Sequence, residues 1–567
     1  STFVQNLIFM NNKNKHLLLL MLTIFMSISG YSQDIISGVV SDKDGIPMIG
    51  ATVLIQGTNR GTTTDFDGKF SIETTEAVSL KITYVGFKAT YIKAVPGAVL
   101  QITLEASNAL DEVVLTALGI KREEKALGYS VQGITASEIS QVKATNVVNA
   151  LAGKVAGVSI TGSSAGPSAS SNITIRGASS LMGNNQPLFI VNGMPITNDL
   201  YTFDDGLNGS TSIDFGNAAQ VVNSDDIENI SILKGPAASA LYGSRAASGV
   251  ILIQTKTGKN NGDPFSVELN SSVLFSSPLK LPNYQNEYGA GGGGKYSYLN
   301  GSTYIGANEN YDAYGENWGP RMNGQLIKQF NSDGEAVPFT PAPNNIRDFY
   351  ETALTHITNV AVNTSSQDAN SRFSYTHLGN DGLIPNTGLE RNTFQTSINR
   401  SLFDNKLNIG FNNMFVRSTS DNIPNSGYDE SSSVMYGWLW LPRQVAINDL
   451  RDYWQPGQEG VEQRYAENLW VNNPWFIAYE NTNAFQSNRN ISNINLDYQI
   501  NDYANLRFRY GVDYVDEQRQ YKRAPSTKGV LNGSYREDEI SFRESNAEWL
   551  LSLNPTPNES NLIDVDL

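Results

Sequence analysis

Over residues 263–567 apolar and polar positions alternate in runs of strand length, at 266–275, 358–365, 372–377, 392–399, 407–416, 491–500 and 506–514. Leu506-Arg507-Phe508-Arg509-Tyr510 shows the period of two most plainly, and that period marks a strand with two unlike faces. Asn-, Gly-, Asp- and Pro-rich loops separate the runs, several of them long. Strands that cross a membrane need about 9–11 residues of this kind, with the long loops on the extracellular side. The pattern differs nearer the N-terminus. Short strands are predicted at 36–41, 51–55, 68–72, 80–84 and 100–104, with turn signals at Asp44-Gly45, Asp67-Gly68 and Pro96-Gly97, which describes a small β-sandwich. Between these regions the signals mix. Residues 137–139 and 146–151 read as helical, and 172–176, 188–191, 230–233 and 250–254 as strands.

The first residues carry a different signal. Met10 opens a stretch with Lys13 and Lys15, then the apolar run 17–26, then the small residues Gly30 and Ser32 before Gln33. A positive end, an apolar middle and a small-residue exit are the parts of a secretory signal peptide, placed at 10–32. The run is short for a membrane helix, which takes about 20 residues. Met10 is then the expected start, with residues 1–9 upstream of it.

Composition narrows the reading. Charged residues make up 17% and aromatics 10% of the 567 residues, and the net charge is −16. An acidic chain without a basic run argues against nucleic-acid partners. There is no cysteine, which excludes a disulfide framework, a thiolate metal site, a cysteine nucleophile and a lipidated N-terminal Cys.

Three families of motif then appear in order. Gly38-Val39-Val40, Pro47-Met48-Ile49-Gly50-Ala51-Thr52-Val53 and Asp65-Phe66-Asp67-Gly68-Lys69-Phe70 resemble the carboxypeptidase-regulatory-like domain, placed at 34–107. Such domains carry no catalytic residues. Asp65 to Gly68 lacks the further carboxylates of a calcium loop and reads as a turn. Residues 110–119 resemble a TonB box of the SusC type, with Asp111, Glu112, Val113, Val114, Leu115, Thr116 and Ala117 implied as the TonB-binding residues. Their β-branched centre favours an extended chain, and backbone groups left free between domains allow strand addition to a partner.

Residues 121–258 resemble the TonB-dependent receptor plug. The motifs are Ala150-Leu151-Ala152-Gly153-Lys154-Val155-Ala156-Gly157-Val158, Ile173-Thr174-Ile175-Arg176-Gly177, Pro187-Leu188-Phe189-Ile190-Val191-Asn192-Gly193-Met194-Pro195, and the stretch from Ile232 to Ile251 containing Tyr242-Gly243-Ser244-Arg245 and Ser248-Gly249. Asn192 stands where the family more often has Asp, and Ser248 where Asn is common. Gly177, Gly193, Gly243 and Gly249 suit tight turns or close backbone approach. Arg176 and Arg245 are expected to pair with carboxylates of a surrounding wall.

The resemblance is to the SusC/RagA family of TonB-linked outer-membrane proteins. It implies a multidomain fold of an N-terminal β-sandwich, an α+β plug and an antiparallel transmembrane β-barrel. The family's barrel has about 22 strands, which the roughly 300 residues of 263–567 do not supply. With no aromatic-ended last strand in view, the chain is expected to be an N-terminal fragment with an incomplete barrel. The implied function is import of oligosaccharides or peptides with a SusD-like surface lipoprotein, energised by TonB with inner-membrane ExbB/ExbD. A siderophore or vitamin receptor, or a non-transporting adhesin, are the alternatives.

No chemistry of catalysis or cofactor binding stands out. Gly289-Ala290-Gly291-Gly292-Gly293-Gly294-Lys295 has phosphate-loop spacing, but Tyr296 replaces the Ser/Thr that would hold magnesium, so it reads as a barrel loop. His356 and His377, apart in sequence, suggest no metal site or triad. Trp438, Trp440 and Trp454 fit an interfacial girdle better than sugar-stacking platforms.

Overall fold

The computed structural model describes residues 35–105 apart from 44, 57, 59, 85, 86 and 88; 113–115; 121–123; 131–140; 145–258 apart from 164, 165, 167, 168, 179, 182–184, 199–212, 236–238 and 241; 264–329 apart from 301, 302 and 307–316; 335–465; 471–553; and 565–566. The signal at 10–32 and the box residues Asp111, Glu112, Thr116 and Ala117 lie outside the described residues. The chain divides into two compact units, 1–112 and 113–567.

The first unit is a two-sheet sandwich. β1 (Ile35–Ser41) pairs antiparallel with β4 (Lys69–Glu73) and parallel with β7 (Val99–Thr103). The second sheet has the order β3-β2-β5-β6, from β2 (Thr52–Ile55), β3 (Gly61–Thr63), β5 (Val78–Thr83) and β6 (Thr90–Ala94). Alternate residues such as Ile36, Val40, Val53, Phe70, Leu80, Ile82 and Ile102 fill one core, as period-two strands require. The Asp65 to Gly68 segment is a turn. The Asp65 carboxylate accepts backbone N–H bonds from Asp67 (3.0 Å) and Lys69 (2.8 Å), and Gly68 has φ +72°.

The second unit opens with β8 (Val113–Leu115) and β9 (Lys121–Glu123), a short antiparallel pair. The plug follows. Its sheet has the order β10-β15-β16-β13-β14, from β10 (Val131–Thr135), β13 (Leu188–Val191), β14 (Met194–Ile196), β15 (Ile227–Leu233) and β16 (Val250–Thr255). β13 and β16 are parallel and the other pairings antiparallel. A hairpin of β11 (Val158–Gly162) and β12 (Ser171–Ile175) packs with it. At the start of α1 (Ala136–Ser140) the Glu138 carboxylate accepts from the Thr135 N–H and from its hydroxyl, each at 2.9 Å, which satisfies the backbone donor preceding the first turn. Asn146 caps the 3-10 turn over Val147–Leu151.

Around the plug runs an antiparallel meander: β17 (Phe265–Ser276), β22 (Ala353–Ser365), β23 (Ala369–Asp381), β24 (Gly388–Leu402), β25 (Leu407–Ser420), β26 (Asn483–Asn501), β27 (Ala504–Arg523), β28 (Ser534–Leu553) and β29 (Val565–Asp566). Two hairpins, β18 (Ser297–Asn300) with β19 (Thr303–Gly306) and β20 (Leu326–Lys328) with β21 (Ala336–Pro338), lie in the long segment between β17 and β22. Among the described residues no helix is long and apolar enough to cross a membrane. The meander is the wall. Its long connections, 277–352 and 421–482, leave from one end, and short turns such as 366–368 close the other.

The long connections build a core of their own. α2 (Val434–Leu439) and α3 (Pro474–Glu480), the latter capped by Asn473 with Pro474 at its first position, bury Trp438 and Trp475 against Phe349, Leu441 and Ile447. Burial pushes the neighbouring Tyr350 hydroxyl up to about 12. Arg443 joins the two loops by donating to Asn286 (2.7 Å) and to the buried Asn345. This corrects the girdle reading: Trp438, Trp440 and Trp454 lie in the 421–482 connection, and Trp440 donates to the Tyr428 hydroxyl at 3.2 Å. Large apolar residues on the outward face of the strands, including Phe373, Phe394, Phe415 and Trp549, are exposed instead. The Gly-rich stretch at 289–295 is a loop, with Ala290 N–H donating to Gln444 at 2.9 Å.

Gly68→Ala is expected to destabilise the N-terminal sandwich by about 1–3 kcal/mol. A Cβ there would stand 2.4 Å from the Val40 carbonyl oxygen in a left-handed backbone. Thermal unfolding of the isolated 34–107 domain measures it, and an unchanged midpoint refutes the strain argument.

Candidate functional site: the seam between plug and wall

Each wall strand turns one face to the plug. On β23 and β24 the buried alternate positions are Arg372, Ser374, Thr376 and Arg391, Thr393, Gln395, Ser397. The inner face of the wall is therefore polar, and its arginines meet the plug at separate points. Arg372 donates through Nη2 to Asp226 at 3.0 Å and through Nη1 to Asn363 at 2.9 Å and Glu268 at 3.2 Å. The Arg372 and Asp226 side chains are each 1% exposed. Arg391 donates 2.6 Å bonds to both the carbonyl and the side-chain oxygen of Gln220. Arg489 holds Asp513 at 2.6 and 2.9 Å and reaches the Thr197 carbonyl at 2.9 Å, while Asp513 accepts the Thr197 N–H at 3.0 Å. Planar guanidinium forks suit such carbonyl and carboxylate contacts.

Apolar contacts lie between these points. Met414, Val416 and Ile491 of the wall join the plug core around Ile173, Ile196 and Ile253. Phe215 packs edge-on to Phe485 at 5.7 Å and Tyr521 at 5.9 Å, under Arg519 at 4.2 Å. Gly258, which leads from plug to wall, is pressed against the wall: a Cβ there would be 2.2 Å from the Ser371 carbonyl oxygen. Beside the plug a polar cavity of about 550 Å³ opens among Asn192, Gly193, Asn399, Asn495, Arg507 and Arg509.

The motif residues fall in different places. Arg245 makes a forked pair with Glu544 of β28, at 2.7 and 3.2 Å, with the arginine half exposed. Arg176 ends β12 in a left-handed conformation with φ 60°. It is exposed, its guanidinium lies over Gly235, and among the described residues it pairs with no carboxylate. Gly177 follows it with φ 91°. Asn192-Gly193 is the tight turn between β13 and β14, both residues left-handed, the pattern such hairpins favour. The Asn192 amide nitrogen donates to Thr255 Oγ1 at 3.0 Å and its oxygen accepts from the Thr255 N–H at 2.9 Å. A carboxylate cannot make the first of these bonds. Gly193 faces Arg509, whose Nη1 would be 3.0 Å from an added Cβ. Gly243 starts the turn that carries Arg245. Gly249 lets β16 begin against β12, since an added Cβ would be 2.7 Å from Ile175.

Two sequence expectations change. The backbone of the box core is not free: Val113, Val114 and Leu115 pair with Glu123, Arg122 and Lys121. His356 and His377 are brought together, with Nε2 atoms 3.2 Å apart. Among the described residues no group of three or more His, Asp or Glu is placed to hold a metal. Sequence reasoning missed the wall's side of the seam (Arg372, Arg391, Arg489, Asp513), because an inward arginine in an alternating strand looks like any solvated polar position.

Comparison with known proteins agrees with this geometry. Residues 123–250 match the TonB-dependent Receptor Plug Domain and 36–115 the CarboxypepD_reg-like domain. The chain is 29% identical over 513 residues to the TonB-dependent receptor SusC of Bacteroides thetaiotaomicron, covering 88% of this chain and 46% of that protein. A 170-residue match, 29% of this chain and 20% of the relative, is 35% identical to a probable TonB-dependent siderophore receptor, PirA, of Acinetobacter baumannii. In fold the chain is similar to the RagAB peptide importer in its "open-open" state, with a TM-score of 0.57 at 20% identity, over 78% of this chain and 47% of that one. A plug filled into a strand wall, with these two domain matches, defines a TonB-dependent receptor. Within that class the chain is similar to SusC along most of its length, and its fold is similar to that of the RagAB importer. It spans about half the length of the curated relatives it matches.

Removing one partner of a buried ion pair strands the other charge, at about 3–5 kcal/mol. Arg372→Ala, which leaves Asp226 buried and bare, is expected to loosen the plug by that amount, Asp226→Ala by less because Arg372 keeps Glu268 and Asn363, and Arg372→Met with Asp226→Leu by clearly less than the sum. Arg245→Ala, at a half-exposed pair, is expected to cost under about 1 kcal/mol. Since the chain lacks cysteine, urea-dependent labelling of a single Ala150→Cys reporter reads all four. Equal effects at Arg372 and Arg245 would contradict the burial argument.

Proposed function

We propose that the whole protein imports oligosaccharides or peptides across the outer membrane, energised by TonB through residues 111–117. A SusD-like surface lipoprotein captures substrate at the outer face. The observation that supports this most is the seam. The plug fills the wall's interior, and discrete polar contacts (Arg372–Asp226, Arg391–Gln220, Arg489–Asp513–Thr197) alternate there with apolar ones such as Met414, Val416 and Ile491 on the plug core. Discrete polar contacts separate and re-form when water enters, so the plug is a gate. No nucleotide is needed, because the force arrives from outside the chain.

In this reading the pairing of Val113–Leu115 with Lys121–Glu123 is the resting position of the box. Its hairpin has one strand edge left for pairing, and TonB adds there or displaces Lys121–Glu123. ExbB/ExbD transmit the proton gradient to TonB. The SusC-like reading is favoured over a siderophore receptor because the SusC match runs through 88% of the chain, against 29% for PirA. The loop core around Trp438 and Trp475 shapes the outer mouth where a lipoprotein would dock.

Deleting residues 111–117 in the full-length protein is expected to abolish substrate accumulation while leaving substrate binding to whole cells intact. Val114→Pro, which removes a backbone donor from the centre of the strand, is expected to do the same. Undiminished uptake in either variant would rule out energised import through this segment.

A further inference from the structure

β22 and β23 are antiparallel neighbours, with His356 opposite Gly379 and Thr358 opposite His377. Their inward residues are Thr355, Ile357 and Asn359 on one strand and Thr376 and Leu378 on the other, all buried. Asn359 and the plug's Asn223 both donate to Thr376 at 2.8 Å. Alternation therefore puts His356 and His377 on the outward face of the wall. There they are diagonal cross-strand neighbours, close enough for ring contact.

Their geometry is specific. The Nε2 atoms face each other at 3.2 Å, with ring centroids 5.2 Å apart. His377 Nδ1 lies 3.0 Å from Asn392 Oδ1. An amide oxygen only accepts, so Nδ1 carries the proton and Nε2 presents a lone pair. Asn392 is itself oriented. Its nitrogen donates to Glu390 at 3.0 Å, and its oxygen also accepts the Tyr375 hydroxyl at 2.6 Å. His356 needs a bare strand opposite it: a Cβ on Gly379 would stand 2.1 Å from the ring's Cε1.

Two imidazole nitrogens bound to one tetrahedral cation, with bonds of about 2.0–2.1 Å, stand on the order of 3.3 Å apart. The observed separation is already close to that. Along the outward faces the pair is followed by Thr358 and Tyr375 and then by the exposed Val360 and Phe373, and water completes the coordination on the open side. We propose that His356 and His377 form a two-histidine clamp for a divalent transition cation of the Zn2+, Ni2+ or Cu2+ class, with Asn392 as the positioning residue that fixes the tautomer of His377. Without metal, His356 donates its Nε2 proton to His377 Nε2. On binding, that proton moves to His356 Nδ1 and both lone pairs face the cation. The clamp rests on strand register and ring geometry and is independent of the import reading.

The test uses the full-length protein, purified folded in detergent, with folding checked by heat-modifiable gel mobility. Competition of Zn2+ against a chromophoric chelator is expected to show one cation bound per chain. His356→Ala and His377→Ala are each expected to weaken binding tenfold or more, and Asn392→Ala on the order of tenfold. With Cu2+, the electron paramagnetic resonance spectrum is expected to show coupling to two imidazole nitrogens in the parent and one in each histidine variant. His356→Gln substitutes where alanine disturbs the sheet. Folded parent protein that takes up no Zn2+, or a double histidine variant that binds it as the parent does, overturns the proposal.

Discussion

Charge buried between plug and wall sets the terms for the rest of this structure. Arg372 and Asp226 lose nearly all contact with water; Asp226 is tolerable because Arg372 is there, and Arg372 because Asp226 and Glu268 both face it. A pair of this kind contributes little net stability, since desolvation offsets most of the attraction. What it contributes is position. The plug sits where Asp226, the Gln220 carbonyl and the Thr197 backbone all meet their arginines together. An apolar seam would allow sliding and small rotations, whereas forked hydrogen bonds do not.

The wall consequently has inverted polarity compared with a water-soluble sheet protein. Phenylalanines 373, 394, 411 and 415 face outward, and Asn, Ser, Thr and Arg face inward. This one choice permits an apolar exterior, a polar seam and a polar cavity beside the Asn192–Gly193 turn. The larger apolar clusters lie in the plug's sheet, the N-terminal sandwich and the loop core around Trp475, with smaller apolar contacts between the arginines of the seam.

Much of this was legible in the residues. Period-two runs located β17 and β22–β27, and the motif glycines fell at turns such as Asn192-Gly193 and at close approaches such as Gly249 against Ile175. Strand lengths were read short, because strands such as β26 and β27 continue through polar residues, as at Asn483–Ser487 and Asp516–Arg523, after the apolar alternation ends. β28 was missed altogether. Its Ser534–Asn546 half, rich in Arg, Asp and Glu, has no apolar face to betray it and is held as a strand by the ladder to β27. The wall arginines were visible as residues but not as a set. Arg372, Arg391 and Arg489 form a set only once each strand is laid against plug residues distant in sequence, Asp226, Gln220 and Thr197. The girdle reading of the tryptophans failed because aromatic residues in a long loop and at a membrane boundary are alike in composition.

The strand order of the plug sheet fixes the sequence in which it would come apart under tension. β10 is the first sheet strand a pull from Val113–Leu115 reaches, and it lies at an edge, bonded to β15 alone. β16 is central, flanked by β15 and β13, and runs on through Gly258 into the wall. Load arriving from the N-terminal side therefore opens the sheet one strand at a time in series. The C-terminal side stays anchored in parallel by two ladders and the wall contact. Such a plug yields first at its β10 margin while β16 keeps its footing in the wall.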